Sequence, residues 1–524
     1  MAADWQWSVP IVSATSSETN DHPRAFLWVP PDCKQLRGVV IGQHNMEEEP
    51  ILEHSRFRAA MSELGFAEIW VTPPLDLFFR FDQGSGEHFN EMMKALAAES
   101  GYSELEFVPV ALIGHSAAAS SPWNYAAWNP SRTICALSVS GQWPYYKDQN
   151  TPDWGTRTVD GVPGLVSMGE YENALTRADV GLSQRQEHPM TALSMLAEPG
   201  AGHFDVSDAK VEYLAFYLKK AAQYRLPETV PLDRPTELKP IDPTKNGWLA
   251  DRWRKDEPPK APAAPVGKYT GDAKDAFWFF DEEHAKATEA LEAKYRGKKY
   301  QLTAYVQDGK VVEQDPNLHF RVRLKFLPLE DGMSFKLSGT FLDTAPEGVW
   351  LPAGSPVGHA TSGGPVVISK VNGPAVQTGP DTWSIRFYRM GMDNVKRSNA
   401  ISFLASHPGD EEYRRTVQQS VLTFPLRNTV GAEQRITFDK IPDQKLANHS
   451  IKLEATSDAN VPVYFYVREG PAELDNNNTL TFTSIPPRAK LPMKITVVGW
   501  QWGRSVDPKL KTAEPVEQTF FLTR

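Results

Sequence analysis

Between residue 5 and about residue 222, short apolar runs alternate with stretches whose apolar positions recur every three or four residues. Segments 5–9 and 24–29 read as two strands parted by a polar turn. Residues 38–42 are a short continuous apolar run, the pattern of a strand covered on both faces. Periodicity predicts a helix over 54–64, a strand over 67–71 stopped by Pro73-Pro74, and a helix over 87–98. The apolar run 108–112 is the next strand, and a helix-like segment, 117–128, follows it closely. Further strands are expected at 133–139, 164–168 and 191–196, and further helices at 175–186 and 205–220. Alternation of this kind implies a parallel sheet with helices on both faces.

The pattern then changes twice. From 227 to about 265, Pro and charged residues dominate (Pro231, Pro235, Pro240, Pro243, Pro258, Pro259, Pro262 and Pro265 among them). Such a stretch reads as a linker, extended and partly packed along the preceding domain. Behind it, Ala276-Phe277-Trp278-Phe279-Phe280 precedes a helix-like stretch, 281–295. That aromatic knot is too apolar to stay in water and must dock. From Gln301 onward the period is two, as in His319-Phe320-Arg321-Val322-Arg323-Leu324-Lys325-Phe326, Trp383-Ser384-Ile385-Arg386-Phe387-Tyr388 and Val463-Tyr464-Phe465-Tyr466-Val467. Many short alternating strands punctuated by turn residues imply β-sandwiches. The expected organisation is an α/β domain over 1–226, a Pro-rich linker and helix over 227–299, and all-β sandwiches over 300–428 and 429–524.

Candidate chemistry gathers around Ile113-Gly114-His115-Ser116-Ala117-Ala118, between the strand 108–112 and its helix. A strand, a sharp turn with Ser at its apex and a helix make a nucleophile elbow, usually written G-x-S-x-G. Ala118 stands in place of the second Gly and keeps the required small size. A Ser hydroxyl needs a base to become a nucleophile, and a His needs a carboxylate to fix its tautomer. His203 lies in the Gly-rich loop Pro199-Gly200-Ala201-Gly202-His203-Phe204-Asp205, after the eighth strand. Glu170 follows the seventh strand, with Glu172 as its rival and Asp205 or Asp179 as poorer alternatives. Eight strands, the elbow after the fifth, and the order Ser, acid, His resemble the α/β-hydrolase superfamily, in particular secreted bacterial carbohydrate esterases. The last segment resembles appended immunoglobulin-like modules in pattern.

The resemblance implies an oxyanion hole of two backbone amides. Ala117 would supply one. The loop Gly42-Gln43-His44-Asn45-Met46 would supply the other, from Met46 or Asn45. His44 reads mainly as a loop brace. His44, His115 and the aromatic loop residues Trp143, Tyr145 and Tyr146 are candidate substrate contacts. Glu47-Glu48-Glu49 could form an acidic mouth, although a charge run is usually a solvated face, and Phe78-Phe79-Arg80-Phe81 could shape the pocket. With no large insertion between strands six and seven, the site is expected to be open.

Composition narrows the partners. The net charge is −10 with no basic block, which argues against nucleic acid. Fifteen Trp invite a sugar-binding surface, with Trp350, Trp383, Trp500 and Trp502 in the β region, although core packing is the commoner use. Two cysteines, Cys33 and Cys135, lack metal-ligand spacing. No apolar run suits a membrane span, and no cofactor or metal motif is present. The start Met1-Ala2-Ala3-Asp4-Trp5 carries no apolar leader, and a secreted or periplasmic location with its signal removed is the expectation. The resemblance implies a serine esterase with a Ser116-His203-Glu170 triad and no cofactor, deacylating O-acetyl or feruloyl esters of a carbohydrate. Peptidase, lipase or polyester hydrolase, glucuronoyl esterase and non-catalytic adhesion protein are the alternatives.

Overall fold

A computed structural model describes residues 4–318 and 322–524. Its first part is one eight-stranded sheet: β1 (Trp7–Pro10), β2 (Arg24–Trp28), β3 (Gly38–Gln43), β4 (Phe66–Thr72), β5 (Val110–His115), β6 (Thr133–Val139), β7 (Pro163–Gly169) and β8 (Ala192–Glu198). The spatial order is β1-β2-β4-β3-β5-β6-β7-β8. β2 runs antiparallel to its neighbours and β3 to β8 are mutually parallel. This is the strand order of the α/β-hydrolase fold.

Side-chain alternation divides each strand between two cores. Val39, Ile41, Val110 and Leu112 face one core, and Val40, Ala111 and Ile113 face the other. The first core is covered by α3 (Ser85–Ser100), α4 (Ser121–Trp128) and α5 (Ala174–Glu187) through Phe89, Leu96, Trp123, Tyr125 and Leu182. The second is covered by α2 (Ser55–Leu64) and α6 (Asp208–Arg225) through Phe57, Met61, Leu214 and Leu218. A short α1 (Glu48–Leu52), which the periodicity did not reveal, follows β3 directly.

The aromatic knot docks, as its apolarity requires. Residues Ala276–Phe279 form a strand beside β8, where the Ser194 hydroxyl donates to the Trp278 carbonyl at 2.6 Å. Phe277 and Phe279 enter the first core, Trp278 and Phe280 the second. Helix α7 (Glu282–Glu292) follows, capped by Asp281, which accepts from the His284 amide. The Pro-rich stretch is more structured than a plain linker, because Trp248–Asp251 pairs with both Ala264–Pro265 and Ala276–Phe279.

Two further β units follow. Strands between Thr303 and Thr423 form three small sheets around a core of Tyr305, Phe335, Trp383, Phe403 and Leu422. Strands between Ile436 and Thr523 surround Phe465, Leu480, Ile495 and Phe520. Trp500 and Trp502 are fully buried and pack into the core of the middle unit against Phe387 and Phe424, so they join the two β units. Of the run that begins at His319, residues 319–321 lie outside the described residues, and Val322–Lys325 is a strand. The last β unit also packs on the α/β part. Arg488 reaches Glu104 at 2.7 Å, and the Ser8 hydroxyl donates to Glu469 at 2.9 Å.

Candidate active site

Strand β5 delivers Ser116 at the carboxyl end of the sheet. Its φ is +53°, in the left-handed region that non-Gly residues seldom occupy. Local strain of this sort persists where the surroundings over-determine it. Here they do. A Cβ on Gly114 would sit 2.1 Å from the Ala118 carbonyl oxygen, so only Gly fits that position. The Ser121 hydroxyl donates to the same carbonyl at 2.7 Å and closes the turn. Ala118 is buried and fills the place of the usual second Gly.

The loop after β8 brings His203 to this apex, with Nε2 2.8 Å from Ser116 Oγ. Nδ1 of the same ring meets the carboxylate of Glu172. A carboxylate there holds the proton on Nδ1 and leaves the Nε2 lone pair for the serine hydroxyl. The His203 carbonyl accepts from the Ser140 hydroxyl at 2.6 Å and from His115 Nε2 at 2.8 Å. Ser140 is also left-handed, at φ +45°, and no motif in the sequence around it marks it.

Glu170 does not meet His203. Both glutamates belong to one 3₁₀ turn, Glu170–Glu172, directly after β7. Three residues per turn point positions two apart in different directions. Glu170 faces Arg414, accepts from the Tyr300 hydroxyl at 3.1 Å, and caps the Gly200 amide at 2.9 Å. Its side chain is 3% exposed, and Arg414 also holds Asp256. Glu170 therefore anchors the middle β unit, and Glu172 holds the position expected of a triad acid. Asp205 is committed elsewhere, to Arg415 at 2.9 Å, and Asp179 pairs with Arg252.

The oxyanion loop also departs from expectation. Ala117 is exposed and lies in the first turn after Ser116, where backbone N–H groups lack intrahelical acceptors. The other two candidate donors are engaged. The amides of Asn45 and Met46 donate to Glu48 Oε2 at 3.1 and 2.9 Å. Glu48 Oε1 accepts the His115 amide at 2.7 Å, so one buried carboxylate ties the β3 loop to the elbow. The Asn45 side chain adds a bond to the His115 carbonyl at 2.7 Å.

Several expected substrate contacts are structural. His44 is buried, bonded to Thr72 Oγ1 at 2.8 Å and packed on Trp70, and burial holds its imidazole well below the usual range. His115 is fully buried behind His203. Trp143 is in the core, stacked on Phe277 with its indole N–H on the Arg177 carbonyl. Tyr145 stacks on His188, while Tyr146 is exposed on its loop. Phe79 and Phe81 are core residues. The acidic trio is no solvated mouth. Glu47 pairs with Lys210 at 3.0 Å and Glu49 with Arg389 at 2.8 Å, and all three glutamates are buried.

The middle β unit roofs one side of the site and grips the loops that carry the site residues, while Ala117 beside the nucleophile stays exposed. Arg415 Nη1 donates to the Gly200 carbonyl at 2.9 Å, and Gln419 Nε2 to the Phe204 carbonyl at 3.1 Å. Asn372 holds the Met46 carbonyl at 2.8 Å, and Arg397 the Asn45 carbonyl at 2.9 Å. Between this roof and the start of α5 lies a cavity of about 490 Å³ that reaches His203 and Glu172. Trp350 borders it, 37% exposed and stacked on Tyr171 with ring centroids 4.2 Å apart. Among the described residues, no group of three or more His, Cys, Asp and Glu side chains could hold a metal ion, and no helix is long and apolar enough to cross a membrane.

No family model and no curated protein matches the chain. Solved structures resemble it over part of its length. FphF of Staphylococcus aureus, a fluorophosphonate-binding serine hydrolase, is 10% identical over 40% of this chain and 97% of its own, with a TM-score of 0.29. An esterase of Pyrobaculum calidifontis is 14% identical over 41% of this chain and 85% of its own, at 0.30. LpqC of Bordetella parapertussis, a poly(3-hydroxybutyrate) depolymerase, is 12% identical over 44% of this chain and 93% of its own, at 0.29. Scores this low carry no argument about the present chain. Its fold rests on the strand order and the elbow.

The buried carboxylates make a pH prediction. Burial raises Glu48 and Glu198 to about 7, and Glu68 and Glu292 to about 8, from 4.5. Folding then favours their protonated forms, a contribution lost as pH rises through these values. Burial acts oppositely on His44, and on His284, which falls to about 3, so their effect grows with pH and levels off just above 6.5. From pH 6.5 to 8 the raised carboxylates outweigh them. The thermal midpoint is expected to fall over that interval, by an amount reflecting on the order of 1 kcal/mol per group. Melting curves at pH 6.5 and 8 check this, and a rising midpoint contradicts it.

Proposed function

We propose that the protein is a serine-dependent carboxylic ester hydrolase whose substrate is an acylated carbohydrate. The observation that carries the reading is the arrangement around His203, with Nε2 at 2.8 Å from Ser116 Oγ and Glu172 on Nδ1. A nucleophile within reach of a base, itself oriented by a third group, is the signature of covalent acyl transfer. In this mechanism Ser116 Oγ attacks the ester carbonyl carbon while His203 Nε2 takes the hydroxyl proton. Glu172 stabilises the imidazolium, and the Ala117 amide faces the developing oxyanion. The bond to the alcohol oxygen breaks, and that oxygen leaves with the proton from Nε2. Water, deprotonated by His203, then releases the acid and restores Ser116.

The carbohydrate part rests on the cavity beside His203, where aromatic rings meet hydroxyl, amide and guanidinium groups. The test is acid release from acetylated and feruloylated polysaccharides and oligosaccharides, comparing wild type with Ser116→Ala. Release by wild type that vanishes in the variant supports the reading. An absence of release from the whole panel removes the carbohydrate assignment.

A further inference from the structure

We infer that the middle β unit is part of the catalytic site, and that the cavity it roofs binds the leaving alcohol as an uncharged sugar ring stacked on Trp350. The inference rests on the ester hydrolase reading above and deepens it.

The side of the site is set by proton transfer. The leaving oxygen must take its proton from His203 Nε2, so the alcohol lies on the histidine side of the scissile bond. The cavity borders His203, together with Glu172 and Gly202. Its volume of about 490 Å³ falls in the range of small-molecule sites. One wall is the α/β part, with Tyr171, Thr176 and Arg177. The other comes from the middle β unit, with Thr303, Trp350 and Gln419.

The lining chemistry selects the ligand. Trp350 lies almost parallel to Tyr171, at 4°, yet remains 37% exposed. An indole kept partly exposed at a cavity edge offers apolar area with fixed orientation. Tyr171 is fixed beneath it, because its hydroxyl donates to the Arg415 carbonyl at 2.6 Å. The charged groups there are of opposite sign, with Arg177 near Glu172 and His203. This favours a neutral polyhydroxylated ring over an ionic alcohol. The amide of Gln419 lies against Gly202, where a Cβ would approach it to 3.0 Å. The roof thus touches the residue next to His203, too closely for an independent tethered module.

The test compares two acetate esters that share an acyl group and differ in the alcohol, an O-acetylated xylo-oligosaccharide and ethyl acetate. The quantity read is the ratio of their kcat/KM values. Trp350→Ala is expected to lower the ratio by about 10-fold or more, and Trp350→Phe to retain most of it. Thr176→Trp, which fills the cavity from an exposed position on α5, is expected to lower it as well. A ratio unchanged in Trp350→Ala and Thr176→Trp overturns the inference. So does a wild-type enzyme that hydrolyses ethyl acetate but no sugar ester, a result that leaves the ester hydrolase standing. If neither ester is hydrolysed and Ser116 takes no fluorophosphonate, the underlying reading fails and the inference with it.

Discussion

Ser116→Ala is expected to abolish ester turnover, with kcat falling by roughly 10⁴- to 10⁶-fold. The loss follows from the covalent route. Without Oγ there is no acyl-enzyme, and what remains is the weaker effect of binding and the Ala117 amide. The fold should survive, because the side chain lost is small and the turn is built by Gly114, Ala118 and Ser121 rather than by the hydroxyl. Steady-state rates on any accepted ester, beside a thermal melt, check both halves. A variant with more than about a tenth of wild-type activity removes Ser116 from the mechanism.

The second large effect separates two glutamates that the sequence places two residues apart. Glu172→Gln is expected to lower kcat by about 10⁴-fold while leaving the protein folded. The amide can no longer stabilise the imidazolium, and its NH₂ can favour the wrong tautomer. Glu170→Gln acts elsewhere. It removes a buried negative charge from Arg414, which is 2% exposed and held between Glu170 and Asp256. Breaking one side of a buried ion pair typically costs about 3–5 kcal/mol of stability. Glu170→Gln should therefore melt at a lower temperature, with a kcat loss far smaller than that of Glu172→Gln. The reverse pattern, with kcat lost in Glu170→Gln and kept in Glu172→Gln, contradicts the geometry described above.

These two positions also show where local sequence stops being informative. The strands of the α/β part were legible because each is a short apolar run stopped by turn residues. The elbow was legible because its sterics demand small residues at fixed offsets. His203 was legible because a Gly-rich loop after the eighth strand is a local feature. The choice between Glu170 and Glu172 was not. It depends on Arg414, which lies 244 residues further along and claims Glu170. Glu48 was hidden for a similar reason. A run of three glutamates reads as a solvated face, and only the fold supplies Lys210, Arg389 and three backbone amides to hold it in the interior. The partial roof over the site was hidden too, because it comes from strands and loops between residues 300 and 423 rather than from an insertion in the α/β part. The aromatic loop at Trp143 and the partly exposed indole at Trp350 are indistinguishable by composition, and burial alone separates core packing from a cavity wall.

The most direct test of the central claim is the mass of the Ser116 peptide after reaction with a fluorophosphonate, in wild type and in His203→Ala. The account predicts an adduct on Ser116 in wild type and a reaction slowed by several orders of magnitude without the imidazole. An unmodified Ser116, or an adduct that forms as fast without His203, would contradict it.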